Sequence, residues 1–293
     1  MLLTAARNEA AHIGRTIESV ANQTILPKKW VIVSDGSVDE TDDIIRTAAL
    51  KSSFILYSRR QPEGKAKGFA SKVEALILAR QCLPATEYDY IGHLDADVSF
   101  QPSYYEELLR RFAGDPRLGV AGGYIHEPCG VGGLFQSRVS NTERSVAGGI
   151  QLFRRQCYED IGGFLPLELG GEDWCAEIMA RMAGWTVRSF PELPVLHHKP
   201  GIGVGHFLSK GFREGQMDHA LGTHPLFEIA KCIRRLRERP LLLAAGSRLL
   251  GYLGSSVRSP QYGVPEKVKL YLAKEQLRRL KDLLKPPKDQ TPV

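Results

Sequence analysis

The chain has 293 residues, a net charge of +6, 43% hydrophobic and 25% charged residues. This ordinary balance excludes an intrinsically disordered chain. It allows one large domain, or a domain with an appendage, around a sizeable core. Five cysteines at irregular spacing (Cys82, Cys129, Cys157, Cys175, Cys232) without a C-x-x-C pair argue against a disulfide framework or zinc site. They fit a reducing compartment. No apolar run reaches the roughly 18 residues of a membrane span. The nearest, 240–254, is short and carries Arg248. The chain opens almost directly on a motif, with no secretory leader in view.

Residues 1–5 read as the end of a strand, short for mid-sheet, which leaves room for a start upstream of Met1. Residues 12–23 carry helical periodicity through Ile13, Ile17 and Val20. Residues 30–34 are β-rich and end on Asp35-Gly36-Ser37. Ser37 and Glu40 have capping-box spacing, predicting a helix from there to about residue 50. Residues 54–57 form a third strand. A loop through Pro62, Glu63 and Gly64 opens a helix with Phe69, Val73, Leu76 and Ile77 on one face. Lys65 and Lys67 lie in its first turn. A strand ending at Asp95 and a helix over about 102–112 follow. Four such alternations predict a parallel, doubly wound α/β sheet.

Beyond Gly119 the order changes. Strands are expected at 120–125, 148–153, 185–188 and 195–198, with a Gly-rich loop at 128–133 and a helix starting near Glu172. Past Pro200 four helical segments are expected, at about 206–219, 224–238, 241–255 and 265–284. The last residues, with Pro286, Pro287 and Pro292, read as a disordered tail.

The stretch Tyr90-Ile91-Gly92-His93-Leu94-Asp95-Ala96-Asp97 organises this pattern. It reads as a buried strand that delivers two carboxylates at the carboxyl edge of the sheet, where ligands bind in open α/β folds. Two acids at i, i+2 can address one divalent cation that also holds nucleotide phosphates. The plainer alternative is a loop that caps the next helix.

The ordered set Ala6-Arg7-Asn8-Glu9, Asp35-Gly36-Ser37 with Asp39 and Thr41, Gly64-Lys65, Asp95-Ala96-Asp97, Gly162-Gly163-Phe164, Glu172-Asp173-Trp174 and His197 resembles the family 2 glycosyltransferases of the GT-A fold, of bacterial polysaccharide type. The resemblance covers about residues 1–200. It implies a mostly parallel, Rossmann-like catalytic domain over 1–203; the C-terminal third lies outside it, and its own pattern predicts a helical extension over 204–285 and a disordered tail over 286–293. By this similarity Thr4, Ala5, Arg7 and Glu9 wrap the nucleobase and ribose, and Asp35 accepts a hydrogen bond from the base. Many members have two acids where this chain has Ser34-Asp35, so the donor base stays open. Lys65 would hold the diphosphate. An Asn usual further along that helix is replaced, with Lys72 nearby and no role carried over. Asp97 would bind Mn²⁺ or Mg²⁺ directly, Asp95 would bind it more weakly or touch the ribose, and His197 would complete the shell.

Asp173 is the expected base, and its place at a helix start favours the ionised form. Glu172 would orient the acceptor or Asp173, and Trp174 would stack under the sugar. The implied reaction is inverting, metal-dependent transfer of a hexose from a nucleotide diphosphate sugar to a hydroxyl of a saccharide or lipid-linked saccharide. A cytoplasmic location, peripheral to the inner face of the membrane, goes with it, and no nucleic-acid partner is expected. The Arg-rich and apolar segments over 232–254 either face anionic lipid or pack as an ordinary extension. Two rivals remain. A sugar nucleotidyltransferase would need a Gly-rich, Arg-bearing loop after the first strand, and this chain has Ala6-Arg7-Asn8-Glu9 instead. A non-catalytic nucleotide-sugar-binding subunit would have no need of intact Asp97 and Asp173.

Overall fold

The computed structural model describes residues 1–61, 69–83, 88–129, 133–199, 207–235, 243–258 and 262–283. Lys65, the loop before it and the C-terminal tail lie outside the described residues. The chain divides into two compact units, residues 1–203 and 204–293.

In the first unit β1 (Leu2–Ala6), β2 (Trp30–Asp35), β3 (Ile55–Arg60) and β4 (Tyr90–His93) alternate with α1 (Ile13–Ala21), α2 (Thr41–Lys51) and α3 (Phe69–Gln81). These strands pair in parallel, in the order β3-β2-β1-β4. Every residue of β2 is buried. Burial on both faces is what a parallel strand requires, hence the unbroken run Trp30-Val31-Ile32-Val33. Leu2 is in register with both Trp30 and Gly92. The chain segments carrying Arg7, Asp35 and Asp95 therefore leave the sheet at one edge.

The rest of the sheet is mixed. It comprises β5 (Val98–Phe100), β6 (Leu118–Cys129), β7 (Leu134–Ser137), β8 (Leu152–Arg154) and β9 (Thr186–His197), with α4 (Tyr104–Gly114), α5 (Arg155–Ile161) and α6 (Glu172–Met182) between them. The order continues β8-β6-β9-β5 from β4, and β7 pairs with β6. Strand β8 is antiparallel to β4 and β6, whereas β9 runs parallel to β6.

Three local expectations are corrected. Residues 148–150 form a 3₁₀ turn, not strand, and β8 begins only at Leu152. The runs 185–188 and 195–198 are one strand, β9. Its register with β6 jumps from Phe190 to Pro194, because Pro191 has no N–H to give the ladder. The capping box at Ser37 does not form. Helix α2 starts at Thr41, whose N–H donates to Asp39 Oδ1 at 3.1 Å. The Ser37 hydroxyl instead accepts the Asn8 N–H at 3.1 Å and the Ser34 hydroxyl at 2.9 Å.

The second unit contains α7 (Phe207–Ala220), α8 (Pro225–Arg235), α9 (Leu243–Arg258) and α10 (Glu266–Leu283). Arg248 of α9 is buried. It donates to Glu214 at 2.5 Å, to Glu228 at 2.7 Å and to Asp218. Arg235 also pairs with Glu214, at 2.7 Å. These two arginines bind α7 and α8 carboxylates. Arg234 and the α9 leucines Leu243, Leu250 and Leu253 are exposed. Arg237 and Arg239 fall outside the described residues. No helix among the described residues is long and apolar enough to cross a membrane.

Candidate active site

The loop after β1 is held by the loop after β2. Asn8 sits in the left-handed region at φ 54°, a conformation its short polar side chain tolerates. Its side-chain oxygen accepts the Val38 N–H at 2.9 Å. The Glu9 N–H donates to Thr41 Oγ1 at 2.8 Å, and the Ala10 N–H to Asp39 Oδ2 at 3.1 Å. The residues Ser37, Asp39 and Thr41 thus act as a clamp on Asn8-Glu9-Ala10. Thr4 is fully buried, and its hydroxyl accepts the Trp30 indole N–H at 2.9 Å inside the sheet. Ala5 is partly buried and Arg7 exposed. Glu9 receives Lys199 Nζ at 2.7 Å. Burial pushes its carboxyl above the usual range, with Lys199 opposing.

Asp35 is buried. Arg60 donates to one carboxylate oxygen at 2.6 Å and the Ser71 hydroxyl to the other, also at 2.6 Å. Arg60 is pinned in turn by Glu74. The acid expected to read the nucleobase therefore lies in a charged network spanning β2, β3 and α3.

At the end of β4, Asp95 and Asp97 each meet a cation-bearing group. Asp95 Oδ1 accepts Lys72 Nζ at 2.6 Å. Asp97 Oδ2 lies 3.3 Å from His197 Nε2. The second contact follows from topology: Val98 of β5 is in register with His197 of β9. Burial alone would raise the Asp97 pKa, but the His197 hydrogen bond and the charges of His197, Lys199 and Lys72 outweigh it and hold it below the usual range. Its partner His197 is shifted up by the same bond. His198 turns the other way, with Nε2 2.7 Å from the Ser99 hydroxyl.

Among the described residues no group of three or more His, Cys, Asp or Glu is placed to hold a metal ion. The chemistry of the local donors nonetheless fits a divalent cation. Asp97 Oδ1 is buried with no hydrogen-bond partner. Carboxylate oxygen beside imidazole nitrogen suits Mn²⁺.

Helix α6 delivers Glu172 and Asp173 from its first turn. Glu172 is buried, and its pKa rises to about 7, chiefly through burial, then through the Asp173 charge, with Lys72 opposing. Asp173 is also raised by burial. The N–H of Trp174, which donates to Asp173 Oδ1 at 2.8 Å, and the charge of Lys72 hold it partway back. The helix start therefore does not by itself set the Asp173 ionisation, since burial works against it. Trp174 is partly buried.

Two glycines bring the acids together. A Cβ on Gly148 would lie 2.6 Å from Asp173 Oδ2, and one on Gly149 would lie 2.2 Å from Asp95 Oδ2. Only bare backbone fits between them. Lys72 completes the cluster, since its charge acts on Asp95, Glu172 and Asp173. The structure thus gathers Asp95, Glu172, Asp173 and Lys72 into one cluster, with Asp97 and His197 beside them.

Sequence reasoning left Lys72 without a role and missed the residues that shape the floor. Glu177 is fully buried, and its Oε1 accepts the Val146 N–H at 2.6 Å and the Ser145 hydroxyl at 3.2 Å. Gln151 donates to the backbone carbonyls of Val146, at 3.1 Å, and Asp173, at 3.3 Å. Together they brace the segment that ends at Gly148. Glu177 lies on α6 one turn past Asp173, a spacing that reads as ordinary helix charge. The Gly148-Gly149 doublet was the available signal. Phe164 of the Gly-Gly-Phe motif packs edge-on against buried His93, with ring centroids 4.0 Å apart. Burial, aided by the Lys72 charge, pushes the His93 pKa down to about 3, so the ring is neutral.

A mixed sheet with acids converging at its carboxyl edge and helices following it defines the GT-A class of glycosyltransferase. The fold comparison agrees. A mannosyltransferase, PcManGT from Pyrobaculum calidifontis, solved with GDP-Man and Mn²⁺, superposes with TM-score 0.56 at 16% identity, covering 98% of this chain and 76% of that one. S. aureus TarS 1–349, solved with UDP-GlcNAc, gives TM-score 0.54 at 16% identity, covering 96% and 87%. The sequence profile of Glycosyl transferase family 2 matches residues 2–161, and the chain belongs to that family. It is 24% identical over 207 residues to the poly-beta-1,6-N-acetyl-D-glucosamine synthase of Staphylococcus aureus (strain COL), a match covering 64% of this chain. The match spans about half of that relative, 47%.

Proposed function

We propose that this glycosyltransferase moves a hexose from a nucleotide diphosphate sugar to a hydroxyl acceptor with inversion, in the synthesis of a surface polysaccharide or glycolipid. The observation that carries the reading is the approach of Asp95 and Asp173 to the same glycine doublet. Donor-side and acceptor-side acids then flank one small volume.

Asp173 is the general base in this reading. Its raised pKa makes it a stronger proton acceptor than an ordinary aspartate, while Lys72 and the Trp174 N–H favour the ionised form that a base needs. Glu172, near neutrality in pKa, is suited to hold an acceptor hydroxyl by donating or accepting a hydrogen bond. Single-base chemistry of this kind matches inversion, because one carboxylate deprotonates the attacking hydroxyl opposite the leaving group. Asp97, with Asp95 or His197, would hold Mn²⁺ or Mg²⁺, which when bound neutralises charge on the departing diphosphate. The clamp on Asn8-Glu9-Ala10 presents a preset loop edge for the nucleoside, with Arg7 beside it and Thr4, Ala5 and Asp35 behind it. The solved neighbours with GDP-Man and UDP-GlcNAc support a nucleotide-sugar donor. The poly-GlcNAc synthase relative supports a saccharide product.

The test is release of free nucleoside diphosphate from a panel of UDP-, GDP- and dTDP-sugars, with candidate saccharide acceptors and Mn²⁺. Acceptor-dependent release that is lost in Asp173→Asn supports the reading. Nucleotide binding without release under every acceptor would instead mark a binding subunit. Pyrophosphate formation from a nucleoside triphosphate and a sugar phosphate would mark a nucleotidyltransferase.

A further inference from the structure

Each acid of the Asp95–Asp97 pair already faces a group of this chain that carries or can acquire positive charge. For Asp97 the group is His197, and for Asp95 it is Lys72 at 2.6 Å. The Lys72–Asp95 pair is about a third exposed, with side-chain exposures of 30% and 31%. A pair with this much access to solvent adds little to stability. What sets this lysine apart is the set of acids around it. Its ammonium acts most strongly on Asp95, then on Glu172 and Asp173, and more weakly on Asp97. A divalent cation at Asp97 that also recruited Asp95 would stand within a few ångströms of Lys72 and repel it.

We propose that Lys72 is a built-in competitor for Asp95. In the unliganded enzyme it occupies the carboxylate that a divalent cation would otherwise share with Asp97. The metal is then held weakly until a nucleoside diphosphate arrives and offers the ammonium a phosphate oxygen in exchange. Phosphate is a natural partner for a lysine point charge. Lys72 thereby couples metal binding to donor binding and disfavours loading of the cation alone. This rests on the metal-dependent reading of the site given above.

A purely structural lysine predicts the opposite sign. Its removal would loosen Asp95 and leave metal affinity unchanged or lower. The experiment is Mn²⁺ binding followed by loss of the free-ion electron paramagnetic resonance signal. It is run on wild type, Lys72→Met, Lys72→Arg and Asp97→Asn, alone and with UDP, GDP or dTDP. Thermal melting confirms that each variant is folded, and Lys72→Gln replaces Lys72→Met should that one fail to fold. The expected result is Mn²⁺ affinity without nucleotide at least about tenfold tighter in Lys72→Met, since a nearby like charge is gone. Enhancement by nucleotide should shrink to match, and Lys72→Arg should bind like wild type. Mn²⁺ binding that Asp97→Asn abolishes but Lys72→Met leaves equal or weaker overturns the proposal alone. No Mn²⁺ binding by wild type with any nucleotide overturns the metal reading, and the proposal with it.

Discussion

Asp95 and Asp173 rest against consecutive residues of one backbone turn, Gly149 and Gly148. The first acid leaves the sheet after β4 and the second opens α6. Gln151, at the end of the same turn, hydrogen-bonds the Asp173 carbonyl. The 3₁₀ turn at residues 148–150 is therefore the part that sets the two carboxylates at a fixed separation.

That arrangement makes the doublet sensitive to the smallest side chain. In Gly149→Ala the new methyl would meet the Asp95 carboxylate, and in Gly148→Ala the Asp173 carboxylate, both at clashing distance. Each acid has to move, and misplacement of about 1 Å can cost on the order of 10²-fold in rate. Steady-state transfer assays should show kcat falling in both variants, with Gly149→Ala also weakening Mn²⁺ binding. Unchanged kcat in both would show that the turn does not position the acids.

Replacing the proposed base without changing its shape should separate chemistry from binding. Asp173→Asn is expected to lower transfer by about 10²–10⁴-fold, the range for loss of a general base. Isothermal titration with the donor nucleotide should stay within a few-fold of wild type. Because burial raises the Asp173 pKa, the acid limb of the kcat/KM profile should lie above the ordinary aspartate value. A limb at or below that value would count against Asp173 as the base.

The metal assignment has its own readout. Ligand bound only by the native state raises the melting temperature by mass action. Mn²⁺ with the donor nucleotide should stabilise the wild type, while Asp97→Ala should lose the part that depends on Mn²⁺. His197→Ala should lose a smaller part. Full retention of the Mn²⁺ effect in Asp97→Ala would relocate the ion.

Buried Glu177 makes stability depend on pH. Its pKa rises from 4.5 to about 7, so the folded state keeps a proton that the unfolded chain releases. The sign follows: stability is fully present below about 4.5 and falls as pH climbs towards 7, flattening above it. The fall amounts to about 3 kcal/mol by the shift alone. Glu172 adds a slope of the same sign. Glu177→Gln keeps an acceptor for Val146 N–H and Ser145 and should flatten the melting-temperature profile between pH 5 and 7. An unchanged slope would place the titration elsewhere.

In the second unit, Arg248 holds three carboxylates from α7 and α8. Arg248→Met would leave Asp218 and Glu228 buried with less compensation. Breaking a buried network in this way costs about 3–5 kcal/mol. Urea denaturation followed by helical signal should show a marked loss of stability. A change below about 0.5 kcal/mol, the scale of ordinary surface substitutions, would mean the network is dispensable.

Much of this protein is written locally. Residues Trp30-Val31-Ile32-Val33 can only be a strand covered on both faces. Four strand–helix alternations then require a parallel sheet whose carboxyl edge collects Arg7, Asp35 and Asp95. The motif order identified the family because each motif is short and close to a strand end. What local pattern cannot carry is partnership across the fold. Nothing near Asp35 in the chain announces Arg60 and Ser71, and nothing near Gly148-Gly149 announces two carboxylates pressed against it. Lys72 looks like any helix lysine until α3 packs beside β1 and sets it among acids from β4 and α6. In the sequence Arg248 only interrupts an apolar run; burial beside α7 and α8 shows that it holds three carboxylates. Such roles arise from desolvation and charge proximity, and both are properties of the packed chain.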